Sequence, residues 1–307
     1  MKENKHMKTI MLKTALMLGA AVAALMPIRA NANPGDRYVS DNGAIYQYTP
    51  TGTPSVFASP LNLPRGLTFD KAGNLFAAIS GDGTVVRFGP NATQSTVATN
   101  LGDPEGMAFD GFQNLYVSDA LGALYKIAPG GAVSTVFRAS DYGTLLTHQF
   151  FGVAVDKANN VYLADSVQKA VYRFTPQGQQ SIFAPASNLQ PVGLTFAGQN
   201  LFLASDYEDG DGSNGAGIPG GGKIIKISLI SGKRTIIASG LGDLDLRGIA
   251  IDASGNIFVV DHAFGNHGNP CCFNYNPIYS NVLKVSSGVA SIFASGLNVP
   301  QFVAIQP

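Results

Sequence analysis

The sequence predicts an all-β protein, a six-bladed β-propeller of four-stranded antiparallel blades. Three observations lead there. One short phrase recurs at intervals of 40 to 55 residues: "GLTFD" at Gly66, "GMAFD" at Gly106, "GVAVD" at Gly152, "GLTFA" at Gly193 and "GIAID" at Gly248. Each copy is followed by a turn and three further strand-like runs. The chain also begins and ends in the middle of a repeat. Periods of this length mark arrays of small supersecondary units rather than one continuous fold.

The first strand of each unit is the phrase itself. The second follows a Gly-Asn, Gln-Asn or Asn-Asn step, as in "AGNLFAAI", "FQNLYVSD" and "ANNVYLAD". Such a step before an apolar, aromatic-rich run is a hairpin signal. The third strand reads "TVVRFGP", "ALYKIAP", "AVYRFTP", "KIIKISL" or "NVLKVSS", and the fourth "STVAT", "STVFR", "QSIFA", "RTIIA" or "ASIFA". The start, "DRYVSDNGAIYQYTPTGTPSVFAS", supplies strands two to four of a further unit. The end, "VPQFVAIQP", supplies its missing first strand. Val299–Gln306 is therefore expected to close the ring against the blade that holds Ile45–Thr49. An isolated meander cannot bury both of its faces. Six arranged radially can, leaving only short outer edges. An open solenoid would need capping repeats at both ends, which the split unit argues against.

Residues 1–32 stand apart. Lys2, Lys5, Lys8 and Lys13 precede the apolar run "TALMLGAAVAAL" and a small-x-small step at Ala30–Ala32. This is the pattern of a secretory signal peptide, too short for a span of about 20 apolar residues. Residues 33–307 are then one exported domain, periplasmic or extracellular, expected to be a monomer. With the leader removed, 15 basic residues face 19 acidic ones. No basic patch remains, so nucleic acid is not an expected partner, and no second run could span a membrane.

The repeat phrase, with its P-x-G start and its "D-x-x-G-N" turn, resembles the NHL repeat over essentially the whole exported chain. "LGDPEGMAFDGFQNLYVSDALGALYKIAPGG" carries the resemblance best. The resemblance implies the propeller fold. It implies no single activity, because similar propellers include protein-binding and RNA-binding scaffolds, calcium-dependent lactonases of the gluconolactonase and regucalcin type, and a zinc-dependent peptide-amidating lyase.

Three loops exceed the repeat: Ala139–Phe150, Asp206–Gly222 and Asp261–Ser280. In an up-and-down meander all three leave on one face, which also holds a mouth of the central channel. Insertions gathered on one face mark a binding face. The x of P-x-G, or its equivalent, places Arg65, Glu105, Phe151, Val192, Arg247 and Gln301 around that mouth. The last residue of strand two is Asp41, Ile79, Asp119, Asp165, Ser205 or Asp261. A repeat-wide Asp there caps a turn by accepting backbone N–H groups.

Chemistry on this face has several candidates. Glu105 matches the acidic ligand of the lactonase relatives, yet the other mouth positions lack the Asn and Asp that complete their ion site. Glu105 beside two arginines reads instead as part of an ion-pair ring. His148, His262 and His267 all fall on the insertions and could converge on a metal. Asp206, Asp209, Asp211 and Ser213 put short oxygen side chains on a Gly-rich loop, a possible calcium site without the closing Glu of a standard calcium loop. Cys271 and Cys272 are the only cysteines. They could form a vicinal disulfide within a lid bearing Phe273 and Tyr275, or remain free thiols. Two functions stay open. One is a binding propeller for a small molecule, glycan or peptide. The other is a metal-dependent lactonase-like or esterase-like hydrolase, or a lyase, at the same mouth.

Overall fold

The computed structural model describes residues 33–89, 93–142, 148–185, 190–206, 222–241, 246–262 and 280–307. Within them lie six sheets of four strands each. Blade 1 runs through Pro64–Phe69, Leu75–Ile79, Thr84–Phe88 and Gln94–Ala98, and blade 2 through Pro104–Phe109, Leu115–Asp119, Ala123–Ile127 and Val133–Arg138. Blade 3 comprises Phe150–Val155, Val161–Asp165, Ala170–Phe174 and Gln180–Pro185. Blade 4 comprises Gln190–Ala197, Asn200–Asp206, Gly222–Ser228 and Arg234–Leu241, and blade 5 Leu246–Ile251, Ile257–Asp261, Ser280–Ser286 and Val289–Leu297. Blade 6 joins the two ends of the chain: its inner strand is Val303–Ile305, followed by Arg37–Ser40, Ile45–Tyr48 and Pro54–Ala58. The chain is a six-bladed β-propeller.

The closure pairs Arg37 with Ile305, Tyr38 with Ala304 and Val39 with Val303. The inner strand of blade 6 is shorter than the expected Val299–Gln306. It lies directly beside Arg37–Ser40, with Ile45–Tyr48 one strand further out. Gln306 extends the seam, accepting from the Gly35 N–H and donating to the Asp36 carbonyl at 2.9 Å each.

The core sits between blades, as the radial arrangement requires. Among the described residues, apolar side chains form six clusters, one at each interface between neighbouring blades. Tyr38, Ile45 and Phe57 of blade 6 meet Leu67, Leu75 and Phe88 of blade 1, with Tyr38 edge-on to Phe57 at 5.0 Å. Strand two is fully buried in five blades because sheets cover both of its sides: Arg37–Ser40, Leu75–Ile79, Leu115–Asp119, Val161–Asp165 and Ile257–Asp261 hold buried residues throughout.

The "D-x-x-G-N" hairpins act as the sequence suggests. Asp110 Oδ1 accepts the N–H groups of Phe112 and Asn114 at 2.9 and 2.8 Å, while Oδ2 accepts from Asn114 Nδ2 at 2.7 Å. Asp70, Asp156 and Asp252 repeat the arrangement with Asn74, Asn160 and Asn256. Local side-chain capping of this kind sets the turn before any tertiary contact forms. Blade 4 lacks the Asp and makes a tighter hairpin, with Ala197 opposite Asn200.

Candidate functional site

Five of the six inner strands begin with the same irregularity. In blades 1 to 5 the register against strand two shifts across the P-x-G step, between Pro64/Leu67, Pro104/Met107, Phe150/Val153, Pro191/Gly193 and Leu246/Ile249. A bulge here takes the x residue out of the ladder and re-aims its side chain. The glycine serves a second purpose. A Cβ on Gly66, Gly106 or Gly152 would collide with the carbonyl oxygen of the next blade's x residue, Glu105, Phe151 or Val192. Only glycine lets the inner strands approach so closely, and the approach draws the x residues together at the mouth. Blade 6 departs from the rule with Phe302. It is 9% exposed and packs into the blade 6/blade 1 cluster with Tyr38 and Leu67.

Two serines tie this ring together. The Ser40 hydroxyl accepts the Phe302 N–H at 3.0 Å and donates to the Arg65 carbonyl at 2.6 Å. Ser118 does the same one third of the way round, accepting the Gly106 N–H at 2.8 Å and donating to the Phe151 carbonyl. Each hydroxyl thus fixes one mouth residue beside the next. The sequence carries the signal in the shared "VSD" of blades 2 and 6, but adjacency across blades is invisible in it.

Charged, amide and aromatic side chains meet at the mouth. Arg65 Nε lies 3.6 Å from Glu105 Oε1, with the Arg65 side chain 23% and the Glu105 side chain 5% exposed. Arg247 does not join that pair. Its guanidinium lies over the Phe151 ring, 4.9 Å from the centroid, reaching past blade 4 and its buried Val192. Among the described residues, the expected ring of one Glu and two arginines shows an ion pair between Arg65 and Glu105 and a cation–π contact between Arg247 and Phe151. Phe151 competes for the second guanidinium because the aromatic face attracts a cation without a second charge. Gln301 Nε2 donates to the Val299 carbonyl at 3.0 Å and lies 3.3 Å from His262 Nε2. Behind this layer the channel continues as a cavity of about 390 Å³, lined by all six inner strands from Leu67, Met107, Gly152, Leu194, Ile249 and Phe302 onward.

The two described histidines of the three, His148 and His262, have different neighbours. His262 directly follows strand two of blade 5 and stands beside Gln301. His148 lies at the junction of blades 2 and 3, its ring beside Phe137, Phe150 and Tyr172. Its Nδ1 meets Asp165 Oδ2, and the Asp165 side chain is fully buried. The reason is visible in the neighbouring blades. Asp119 Oδ2 accepts the Gly102 N–H at 2.9 Å, and Asp41 Oδ2 accepts the Asn298 N–H at 2.8 Å. His148 occupies the position of Gly102 and Asn298, so its ring takes over their role at the capping Asp. Burial raises the Asp41 carboxyl above the usual range, opposed by the N–H groups of Asn298 and Asn42.

His267, Phe273, Tyr275, Cys271, Cys272, Asp209, Asp211 and Ser213 lie outside the described residues, as does the side chain of Asp206. Among the described residues, no three His, Cys, Asp or Glu side chains gather. Among the described x positions the one carboxylate is Glu105, which stands beside the Arg65 guanidinium, whereas a hard cation takes several converging oxygens.

No family model matches the chain, and no curated protein matches it either. Solved structures do resemble it. A chain in the crystal structure of a nidogen/laminin complex superimposes with a TM-score of 0.68 at 15% identity, covering 89% of this chain and 98% of that one. A gluconolactonase from Xanthomonas campestris gives 0.59 at 15% identity, covering 90% and 89%. A catalytically inactive virginiamycin B lyase variant from Staphylococcus aureus, solved with quinupristin, gives 0.58 at 14% identity, covering 92% and 95%. The likeness is one of fold. Enzymes are among the structures that share it, a lactonase and a lyase.

Proposed function

We propose that this protein is an exported propeller that binds a small molecule, glycan or peptide at the channel mouth on the insertion face. One observation supports the reading above the others. Six side chains of five kinds, one from each blade, are drawn towards one end of the inner strands by bulges, close-approach glycines and bridging serines. Precise placement of chemically varied groups on a rigid ring is what recognition needs and what stability alone does not. The anchors of the long loops, at His148, Asp206 and Asp261, stand at the same ends of their strands. Export rests on the leader-like residues 1–32. Amino-terminal sequencing of protein recovered outside the cytoplasm tests it, and an intact Met1 there refutes cleavage. For the mouth, a polar fragment library screened by ligand-observed NMR should give hits that Arg247→Ala weakens. Hits unaffected by that change and by Arg65→Ala would place binding elsewhere.

A second reading, hydrolase or lyase, has one observation in its favour. His148 Nδ1 is held by a buried carboxylate, the arrangement that orients Nε2 as a general base. The lactonase and lyase among the structural neighbours agree with it. Turnover on a lactone and ester panel, abolished by His148→Ala, would establish it. Equal turnover in the variant would leave His148 as a cap.

A further inference from the structure

The inner-strand starts place three mouth residues side by side. Gln301 stands between Arg65 and Arg247. The Ser40 hydroxyl joins the backbone next to Gln301 to that of Arg65, and the Gly248 N–H, next to Arg247, donates to the Gln301 carbonyl at 2.9 Å. Gln301 is 1% exposed. Its amide orientation is set by chemistry, because the Val299 carbonyl can only accept, so the group facing it is the NH₂. That leaves Gln301 Oε1 buried without a donor among the described residues. Arg65 Nε is likewise buried without a hydrogen-bond acceptor, since Glu105 stands at 3.6 Å. Native proteins seldom leave such atoms unmatched. Gln301 thus offers a buried acceptor and Arg65 a buried donor, at mouth positions on neighbouring blades.

We propose that Gln301 and its two flanking arginines bind a carboxylate that carries a hydrogen-bond donor on the adjacent carbon. N-acyl amino acids, peptide C-termini and 2-hydroxy acids share this chemistry. The carboxylate lies against the guanidinium groups of Arg65 and Arg247, and the N–H or O–H donates to Gln301 Oε1. Arg65 suits the role because its planar fork matches a carboxylate, and Glu105 holds it in place without a short hydrogen bond that the ligand would have to break. Arg247 adds a second positive charge, its guanidinium over the Phe151 ring. The proposal rests on the mouth being the binding site, as argued above, and adds the ligand's class.

The test is a titration of the full chain by calorimetry with five probes. N-acetylphenylalanine carries both groups, N-acetylphenylalaninamide lacks the carboxylate, and 3-phenylpropionate lacks the donor. Mandelate and N-acetylglycylphenylalanine distinguish a hydroxy acid from a peptide end. Each missing group is expected to weaken binding by about tenfold, the effect of losing one good charged or buried hydrogen bond. Arg65→Gln should erase the preference for acid over amide. Gln301→Leu should erase the preference for N-acetylphenylalanine over 3-phenylpropionate. Arg65→Lys keeps the charge without the fork and should recover only part of the affinity. Melting curves confirm that each variant is folded. Amide and acid binding equally at a site that Arg247→Ala disturbs would overturn the ligand class and leave the mouth intact as a site. Affinities indifferent to Arg65, Gln301 and Arg247, or no binding by any probe, would overturn the assignment outright. The fragment screen then decides separately whether the mouth binds anything.

Discussion

Deleting Val299–Pro307 removes the one strand that closes the ring, and its contribution can be worked from the structure. Phe302 and Val303 are 9% and 4% exposed, and burying side chains of this size contributes about 2 kcal/mol each. Beyond the ladder of Arg37–Val39 with Val303–Ile305, four backbone hydrogen bonds cross the seam: Gly35 to Gln306, Gln306 to Asp36, Ser40 to Phe302 and Gln301 to Ser40, all at 2.9–3.0 Å. At about 1 kcal/mol each they bring the total to roughly 8 kcal/mol. That is a large part of the 5–15 kcal/mol that separates folded from unfolded domains. For a domain of this size each kcal/mol moves the melting midpoint by about 2–4 °C. The truncated protein is therefore expected to melt at least about 15 °C lower by circular dichroism, or to be unfolded at room temperature. A synthetic peptide covering Val299–Pro307, added in excess, should restore part of the loss, because the groove beside Arg37–Ser40 remains. A melting curve within about 3 °C of the parent would refute the closure argument.

Two further outcomes follow from the mouth and the rim. Ser118→Ala leaves the Gly106 N–H and the Phe151 carbonyl without their bridge, so urea unfolding should show a loss of about 2 kcal/mol, whereas Ser134→Ala on the exposed outer strand should cost almost nothing. Asp252 accepts from Asn256 and Ser254 and pairs with Arg37 at 3.0 Å; burial opposes its ionisation, yet these contacts hold its carboxyl below the usual value. A depressed carboxyl contributes stability that is present above its unfolded value and is lost as pH falls through the folded one, so Asp252→Asn should flatten the acid limb of the stability–pH curve, measured by urea midpoints from pH 7 down to about pH 2.

How much of this was legible in advance differs from feature to feature. The five copies of the inner-strand phrase, four of them ending in Asp, and the split sixth unit were enough for the fold, because each strand is specified by its own alternation and four of the turns by their own Asp and Asn. The capping role of Asp119 and Asp165 was readable for the same reason. The mouth positions were readable as a set, Arg65, Glu105, Phe151, Val192, Arg247 and Gln301, because a repeat transfers position from one blade to the next. Their partnerships were not. Arg247 passes over one blade to reach Phe151, and His148 turns from the mouth to Asp165, because the choice depends on distances between blades that no local pattern encodes. The orphaned Oε1 of Gln301 belongs to the same class: an amide's unmet acceptor exists only once Val299 has taken its donor. Local interactions, repeated, determine a propeller from sequence alone. Which charges meet across its channel is decided only when the ring closes, since those side chains come from segments up to about two hundred and forty residues apart and meet through packing between sheets.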